Sequence, residues 1–142
     1  MRPDEVGNRL AAIRSRLGGR AAGAWRLEGG RLVLVAFDPA PGLPAAVAVG
    51  FVDATRSVDL ALADLGIVRA ATEGRVVVSV AAGLPAEVGS GRWLRAFGAA
   101  RSVAVPILGG GGRVAAVVSI ALGPEPDDEA VASAIRDGGW PG

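Results

Sequence analysis

Residues 100–120 read ARSVAVPILGGGGRVAAVVSI, two apolar runs on either side of four consecutive glycines. The runs over 103–108 and 114–122 are short and rich in valine, which favours strands over helices. A phosphate-binding loop would need Lys and then Ser or Thr after the glycines, but Arg113 and Val114 follow them. The stretch therefore predicts a β-hairpin, and its apolar character predicts that both faces of the strands are covered.

A second hairpin is predicted closer to the N-terminus. Its strands cover residues 24–27 and 32–37, and Gly29 and Gly30 lie in the turn between them. Two glycines supply the positive φ angles that a tight hairpin turn needs. Because residues 32–37 are all apolar, this strand is also expected to be covered on both faces.

The first helix is predicted over Pro3–Leu17, because a proline and two acids open it and two glycines follow it. Its large apolar residues form one narrow line: Val6, Leu10, Ile13 and Leu17. Leaving such a line in water costs roughly 1.5–3 kcal/mol per large aliphatic side chain. We therefore expect this helix to form a homodimer interface, helped by Val131 and Ile135 of the closing helix.

The remaining elements are mostly helical. They are a helix from Pro44 that carries Val47, Phe51 and Ala54, a helix over 65–72 capped by Asp64 and ended by Gly74, a strand over 76–80, a helix over 92–100, and a closing helix from Pro126 to about residue 136. Hairpins that alternate with helices predict an α+β domain with a mainly antiparallel sheet and helices on both faces. We expect a single domain over 1–142, with its core over 3–136 and a flexible tail over 137–142.

Four residue types that carry much of enzyme chemistry are missing, namely His, Cys, Lys and Tyr. Their absence excludes His-based triads, Cys nucleophiles, Lys Schiff bases and His or Cys metal sites. The acids at residues 127–129 follow Pro126, as the start of a helix does, so they are not expected to be catalytic. We expect a protein that is not an enzyme and that holds neither a metal nor a cofactor.

Charge and hydropathy exclude two classes of partner. The net charge is +1, and the arginines and acids are interspersed, so no basic stripe for nucleic acid exists. The longest apolar stretch, over 114–122, is far shorter than the roughly 20 residues of a membrane helix. We expect a cytoplasmic protein that binds neither nucleic acid nor membrane.

The sequence resembles a GAF domain, a small sensory module. Residues 100–107 and 113–120 resemble the penultimate and last strands of that family, including its RS-x-x-x-VP pattern, and residues 65–77 are similar to its helix and strand GLVGRVAETGEPVV. The resemblance covers residues 3–136. It implies that the terminal helices pack together on one face of the sheet, where such domains often dimerise. It also implies a ligand cavity on the other face, under the inserted helices.

Differences from the specialised GAF types restrict which type of GAF domain the sequence can resemble. The cyclic-nucleotide type carries a signature with Lys, the type that reduces free methionine sulfoxide works through cysteines, and the bilin and haem types use Cys or His. None of those residues occurs in this sequence. The resemblance therefore implies an unspecialised GAF domain.

The candidate binding residues lie mainly in the segment GSGRWLRAF, residues 89–97. A Gly-Ser-Gly loop before a helix offers backbone N–H groups to an anion, with arginines as charged donors and aromatic rings as apolar walls. The predicted ligand-binding residues are Phe51, Arg56, Arg92, Trp93, Arg95, Phe97 and Ser102. The alternative is that the aromatic residues anchor the loop to the core and that the polar residues are structural.

Two functions remain open. The first is a dimeric sensory or regulatory module that binds an anionic metabolite. It would signal as a homodimer or through a partner signalling protein. The alternative is a structural dimerisation or protein-interaction module with a degenerate pocket and no ligand. A pocket of several hundred cubic ångströms with converging Arg and Ser groups would favour the first, and a cavity filled by Phe and Trp would favour the second.

Overall fold

Six strands form one antiparallel sheet in the computed structural model, which describes residues 2–140. In chain order the elements are α1 (Pro3–Leu17), β1 (Ala21–Glu28), β2 (Arg31–Pro39), α2 (Ala45–Thr55), β3 (Ser57–Asp59), α3 (Gly66–Glu73), β4 (Val77–Val80), α4 (Gly89–Phe97), β5 (Arg101–Leu108), β6 (Val114–Leu122) and α5 (Asp128–Arg136). The strand order is β3-β2-β1-β6-β5-β4, so the two predicted hairpins lie side by side. This arrangement confirms the predicted α+β class with a mainly antiparallel sheet.

Both hairpin turns form at the predicted glycines. Gly29 and Gly30 have φ angles of 53° and 84°, and Gly111 and Gly112 have φ angles of 77° and 74°. Residues with a Cβ rarely adopt such angles, which explains why both turns are built from glycine. The strands are longer than predicted. Strand β1 begins at Ala21, and its first residues were not predicted as strand because Ala and Gly have low strand propensity.

The helix ends and the smallest strand differ from the prediction. Helix α4 begins at Gly89 instead of residue 92 and ends before Gly98, whose φ of 70° closes it in the left-handed conformation. Strand β3 has three residues and was not predicted, since it pairs only with the edge of β2. Asp64 does not cap α3: the cap position belongs to Leu65, and the Gly66 N–H donates instead to Ser90 Oγ at 2.9 Å.

The sheet separates two cores. This agrees with the prediction that helices cover both faces of the sheet. Helices α1 and α5 cover one face, and we call the aliphatic core beneath them the terminal-helix core. Helices α2, α3 and α4 cover the other face, and we call the space beneath them the cavity side. The predicted packing of the N- and C-terminal helices on the same face is therefore confirmed.

The apolar line of α1 packs on the chain's own sheet. Val6 and Leu10 are 0% exposed and Ile13 is 6% exposed, while Leu17 is half-buried against the same core. Val131 and Ile135 of α5 are also fully buried there. The predicted dimer interface is therefore wrong, because burial within the chain already removes this line from water. A homodimer remains a prediction without an assigned interface.

The start of α5 and the end of the described chain are both attached to the body of the domain. Asp127 Oδ1 accepts a hydrogen bond from the Ala130 N–H at 2.8 Å and caps α5. The indole N–H of Trp140 donates to the Ile135 carbonyl at 2.6 Å, and its ring packs against the terminal-helix core. Within the predicted tail, Trp140 therefore contacts the body of the domain, and residues 141 and 142 lie outside the described residues. The flexibility of residues 137–142 stays a prediction.

Replacing Leu10 by Ala should lower the free energy of unfolding by about 2–5 kcal/mol, because it leaves a cavity under α1. Urea unfolding measures this change. Replacing the exposed Arg16 by Ala is the matched control on the same helix and should change stability by less than about 0.5 kcal/mol. If Leu10→Ala instead left the stability of the monomer unchanged and abolished a dimer, the predicted dimer interface on α1 would be correct.

Candidate functional site

The floor of the cavity side is made of small residues from three neighbouring strands. Ala21 of β1 lies opposite Ala121 of β6, which lies opposite Ser102 of β5. One row further along the sheet, Gly23 lies opposite Ser119. Side chains this short leave a gap between the sheet and the helices above it, and all five residues line that gap.

Aromatic side chains form the walls and roof of the gap. The sequence contains three Phe, three Trp and no Tyr, and five of these six residues line it: Trp25, Phe37, Phe51, Trp93 and Phe97. Phe51 of α2 is central, with ring centroids 5.0 Å from Phe97 and 5.2 Å from Trp93. The rings also pack against one another, so most of the space between the helices and the sheet is filled.

Trp25 fixes the position of α2 over the sheet. Its indole N–H donates to the Thr55 carbonyl at 3.0 Å, and its ring lies across Gly23 on the same strand. A Cβ at Gly23 would lie 2.4 Å from ring carbon Cη2 of Trp25, so only glycine fits beneath this ring. The Thr55 hydroxyl donates to the Phe51 carbonyl at 2.8 Å, so this buried hydroxyl has a hydrogen-bond partner within α2.

The remaining cavity is small and largely apolar. Its volume is about 50 Å³, which is room for a few water molecules. Hydroxyl groups enter it from Ser90, Ser102 and Ser119, and none of the described residues that line it is charged. The cavity can therefore bind a small molecule through apolar contact and a few hydrogen bonds, without an ion pair.

Four of the predicted binding residues line this cavity and three do not. Phe51, Trp93, Phe97 and Ser102 line it. The three arginines, Arg56, Arg92 and Arg95, are not among the lining residues, which corrects their predicted placement around the cavity. Their role as ligands stays a prediction. Sequence reasoning missed Trp25 and Phe37 on the strands, and it missed Ser119. Ser90 lies in the predicted segment 89–97, but it was not among the predicted ligand-binding residues.

Each of the three arginines has another contact. The Arg92 guanidinium lies 5.0 Å from the centre of the Trp93 ring, and Arg56 pairs with Asp53 at 3.0 Å on the exposed side of α2. Arg95 donates to the Gly91 and Ala81 carbonyls at 3.1 and 2.7 Å. Helical periodicity explains the positions of Arg92 and Arg95. When α4 presents Phe97 to the sheet, these two arginines lie on the opposite, outer face of the helix.

The Gly-Ser-Gly segment is a close-packing site and not an anion loop. A Cβ at Gly91 would lie 2.0 Å from the Pro85 carbonyl oxygen, and one at Gly89 would lie 2.3 Å from the Asp64 carbonyl oxygen. The glycines therefore allow two backbone segments to touch. The Ser90 N–H donates to Asp64 at 3.0 Å while the Ser90 hydroxyl accepts from Gly66, which ties α4 to the start of α3.

Charged groups lie away from the cavity. Glu73, at the far end of α3, has a lowered pKa, mainly because Arg69 donates a hydrogen bond to it, with Arg75 adding to the effect. Within residues 2–140, no group of three or more acids is placed to hold a metal ion. No helix in that range combines the length and apolar character needed to cross a bilayer.

Comparison with known proteins finds relatives in structure only. No family model matches the chain, and no curated protein matches its sequence. A GAF domain/HD domain protein from Geobacter sulfurreducens matches with a TM-score of 0.68 and 13% identity, over 96% of this chain and 85% of the other. This chain has a GAF-like fold. The GAF domain of an Acinetobacter phosphoenolpyruvate-protein phosphotransferase also matches, with a TM-score of 0.64 and 14% identity, over 94% of this chain and 73% of the other.

An enzyme is among the structures that share the GAF-like fold. The type II free methionine-R-sulfoxide reductase of Thermoplasma acidophilum matches with a TM-score of 0.65 and 16% identity, over 95% of this chain and 86% of the other. This match contradicts the expectation that the chain is not an enzyme, because the same fold carries catalysis in that protein. At these identities the matches establish the fold alone.

Replacing Gly23 by Ala should displace the Trp25 ring and lower the free energy of unfolding by about 1–3 kcal/mol, as overpacking does. Tryptophan fluorescence and urea unfolding measure the two effects. Gly110→Ala is the control, since a Cβ at Gly110 meets no atom within 4 Å. Equal stability of the two variants would show that Trp25 does not need the space above Gly23.

Proposed function

We propose that this GAF-like domain is a sensory or regulatory module that binds a small, mainly apolar molecule on the cavity side. One observation supports this most directly. Five of the six aromatic residues surround a gap above a floor of Ala, Gly and Ser, whereas the terminal-helix core is built mainly from aliphatic side chains. A concave apolar site with a few polar groups is the usual form of a small-molecule site.

The cavity volume limits the size of the ligand. The volume of 50 Å³ is smaller than that of a cavity of about 150 Å³ that holds benzene. A ligand that fits without rearrangement therefore has only a few non-hydrogen atoms. A larger ligand would have to displace Phe51, which is the buried contact of α2 with the aromatic cluster.

Displacement of α2 is the route by which we propose that occupancy is signalled. The helix has no side-chain cap at its N-terminus, no acidic residue in its first turn and no basic residue in its last turn. It is joined to the sheet mainly through Phe51 and through the Trp25–Thr55 hydrogen bond. A ligand that moves Phe51 would therefore move α2, and the exposed surface of α2 would change.

The alternative function is a structural or protein-interaction module without a ligand. Ring centroids in the aromatic cluster lie 5.0–6.4 Å apart, so the rings already fill most of the site. Residues 39–52 contain no polar side chain, and Val49 on the outer side of α2 is 60% exposed. An exposed apolar helix is a surface on which partner proteins dock.

The output of either function requires a second molecule. We propose a cytoplasmic module that acts through a partner signalling protein or as a homodimer. Helix α2 is the surface that such a contact would use, since the apolar line of α1 is occupied by the chain's own sheet.

A cavity-filling substitution tests the ligand-binding function. In two-dimensional amide NMR, 2-methylpropan-1-ol should give saturable shifts at residues of β1, β6 and α2, and Ser119→Val should weaken its binding about tenfold or more by occupying the cavity. Arg92→Ala, outside the cavity, is the control and should bind as the original chain does. Shifts that do not saturate at any concentration would leave the ligand-free module as the function.

A further inference from the structure

The outer edge of β4 has no partner strand, and we infer that two copies of this chain pair there, β4 against β4 in antiparallel orientation, and so join their sheets into one. Strand β4 lies at the end of the strand order and pairs only with β5. The inference goes beyond the proposed function, because this contact holds two copies together whether or not a ligand is bound. Helix α2, the surface assigned to signalling, packs on β2 and β3 at the other end of the strand order.

The backbone of β4 is free to accept a further strand. Backbone groups along a strand point alternately to its two sides, so half of those in β4 face away from β5. Beyond the β4–β5 ladder, the backbone groups of residues 77–80 form no hydrogen bond within residues 2–140. Residues 76–80 read VVVSV, without the proline or the charged side chain that commonly blocks an exposed edge. The strand is therefore a template for pairing.

The opposite edge of the sheet is protected. Strand β3 has only three residues, and Asp59 at its end pairs with Arg31 at 3.6 Å. Arg31 also donates to the hydroxyl and the carbonyl of Ser57, at 2.7 and 3.2 Å. A very short edge strand with charged side chains is a poor template for pairing. Of the two edges, β4 is the one that is open to a further strand.

A row of valines lies along β4, on the face of the sheet that carries α1 and α5. Val76 and Val78 pack partly against the terminal-helix core, and Val80, which is 51% exposed, borders a groove at the start of α5. Antiparallel pairing centred on Val78 places Val78 opposite its counterpart and Val76 opposite the partner's Val80. Each valine of the row then meets a valine across the contact, as cross-strand apolar pairs do in stable sheets. Centring the pairing one residue further in either direction would leave a valine of each copy without a valine opposite.

The charges at the two ends of β4 are complementary in this arrangement, which identifies a second copy as the occupant of the edge. The N-terminal end carries one net positive charge, from Arg69, Glu73 and Arg75. The groove at the C-terminal end carries one net negative charge, from Arg101, Asp127 and Asp128. Antiparallel pairing about a two-fold axis places each positive end beside the negative end of the partner, and the symmetry repeats this attraction.

The size of the contact predicts a weak dimer. Each copy contributes one strand of four residues, which buries less surface than the roughly 1,200–2,000 Å² of a standard interface. We therefore expect a dissociation constant of about 10–100 µM.

Sedimentation equilibrium from about 1 µM to about 1 mM protein tests the contact. Val80→Lys places a charge in the valine row and should weaken the dimer about tenfold or more. Leu108→Lys is the matched control, because Leu108 is 55% exposed at the end of β5 that β4 does not reach. Arg75→Glu should weaken the dimer by a similar factor at low ionic strength and by less at high ionic strength.

Three results would overturn the inference. The first is a monomer at every concentration, and the second is equal dimerisation of Val80→Lys and Leu108→Lys. The third is a dimer that Val49→Lys, on the outer side of α2, dissociates and Val80→Lys does not. In that case the copies meet through α2, and the proposed function stands without this contact.

Single-cysteine variants determine the orientation and the register, because the sequence contains no cysteine of its own. In a glutathione redox buffer, Val78→Cys should cross-link to its counterpart, since the Cβ atoms of opposite residues lie about 4.5–5.5 Å apart. Val76→Cys and Val80→Cys should cross-link to each other when the two proteins are mixed, and neither should cross-link alone. Leu108→Cys is the control and should stay monomeric. Cross-linking of Leu108→Cys to the same extent as Val78→Cys, or of Val80→Cys to itself in preference to Val76→Cys, would contradict antiparallel pairing centred on Val78.

Discussion

The antiparallel pairing of β1 with β6 is the constraint on which the rest of the structure depends. It joins the N-terminal hairpin to the C-terminal hairpin at the centre of the sheet, between strands that are far apart in the sequence. Helices α1 and α5 can pack together only because this pairing brings the two chain ends to one face. The floor of the cavity follows from the same pairing, since Gly23 and Ser119 are register partners across it.

The two faces of the sheet show how side-chain size determines what a fold can do. On the terminal-helix face, Val, Leu and Ile of the helices and strands fill the space between them. On the cavity side, Ala, Gly and Ser of the strands are too short to reach the helices, and large aromatic rings fill most of the difference. The residual space is partly polar because serine hydroxyls and the start of α3 border it.

A shared fold leaves the activity open. The GAF-like architecture is found in a domain of a phosphotransferase and in a methionine sulfoxide reductase, so the architecture excludes neither binding nor catalysis. The groups in the cavity determine what this chain can do there. Without a charged side chain among the described residues that line it, the cavity depends on hydroxyl groups, a helix N-terminus and aromatic surface.

The sequence by itself determined the hairpins, the helices on both faces and four of the lining residues, because turn glycines and apolar periodicity act locally. Phe51, Trp93 and Phe97 were found since large apolar residues on helices face the sheet. The tertiary structure decided which partner each apolar line takes, so the line of α1 that could have formed a dimer lies on its own sheet. It also decided the rotation of α4, which turns Arg92 outward, and the approach of Ser79 and Ser90 to Gly66. These contacts join residues that are distant in the sequence, and only the packed helices and strands specify such distances.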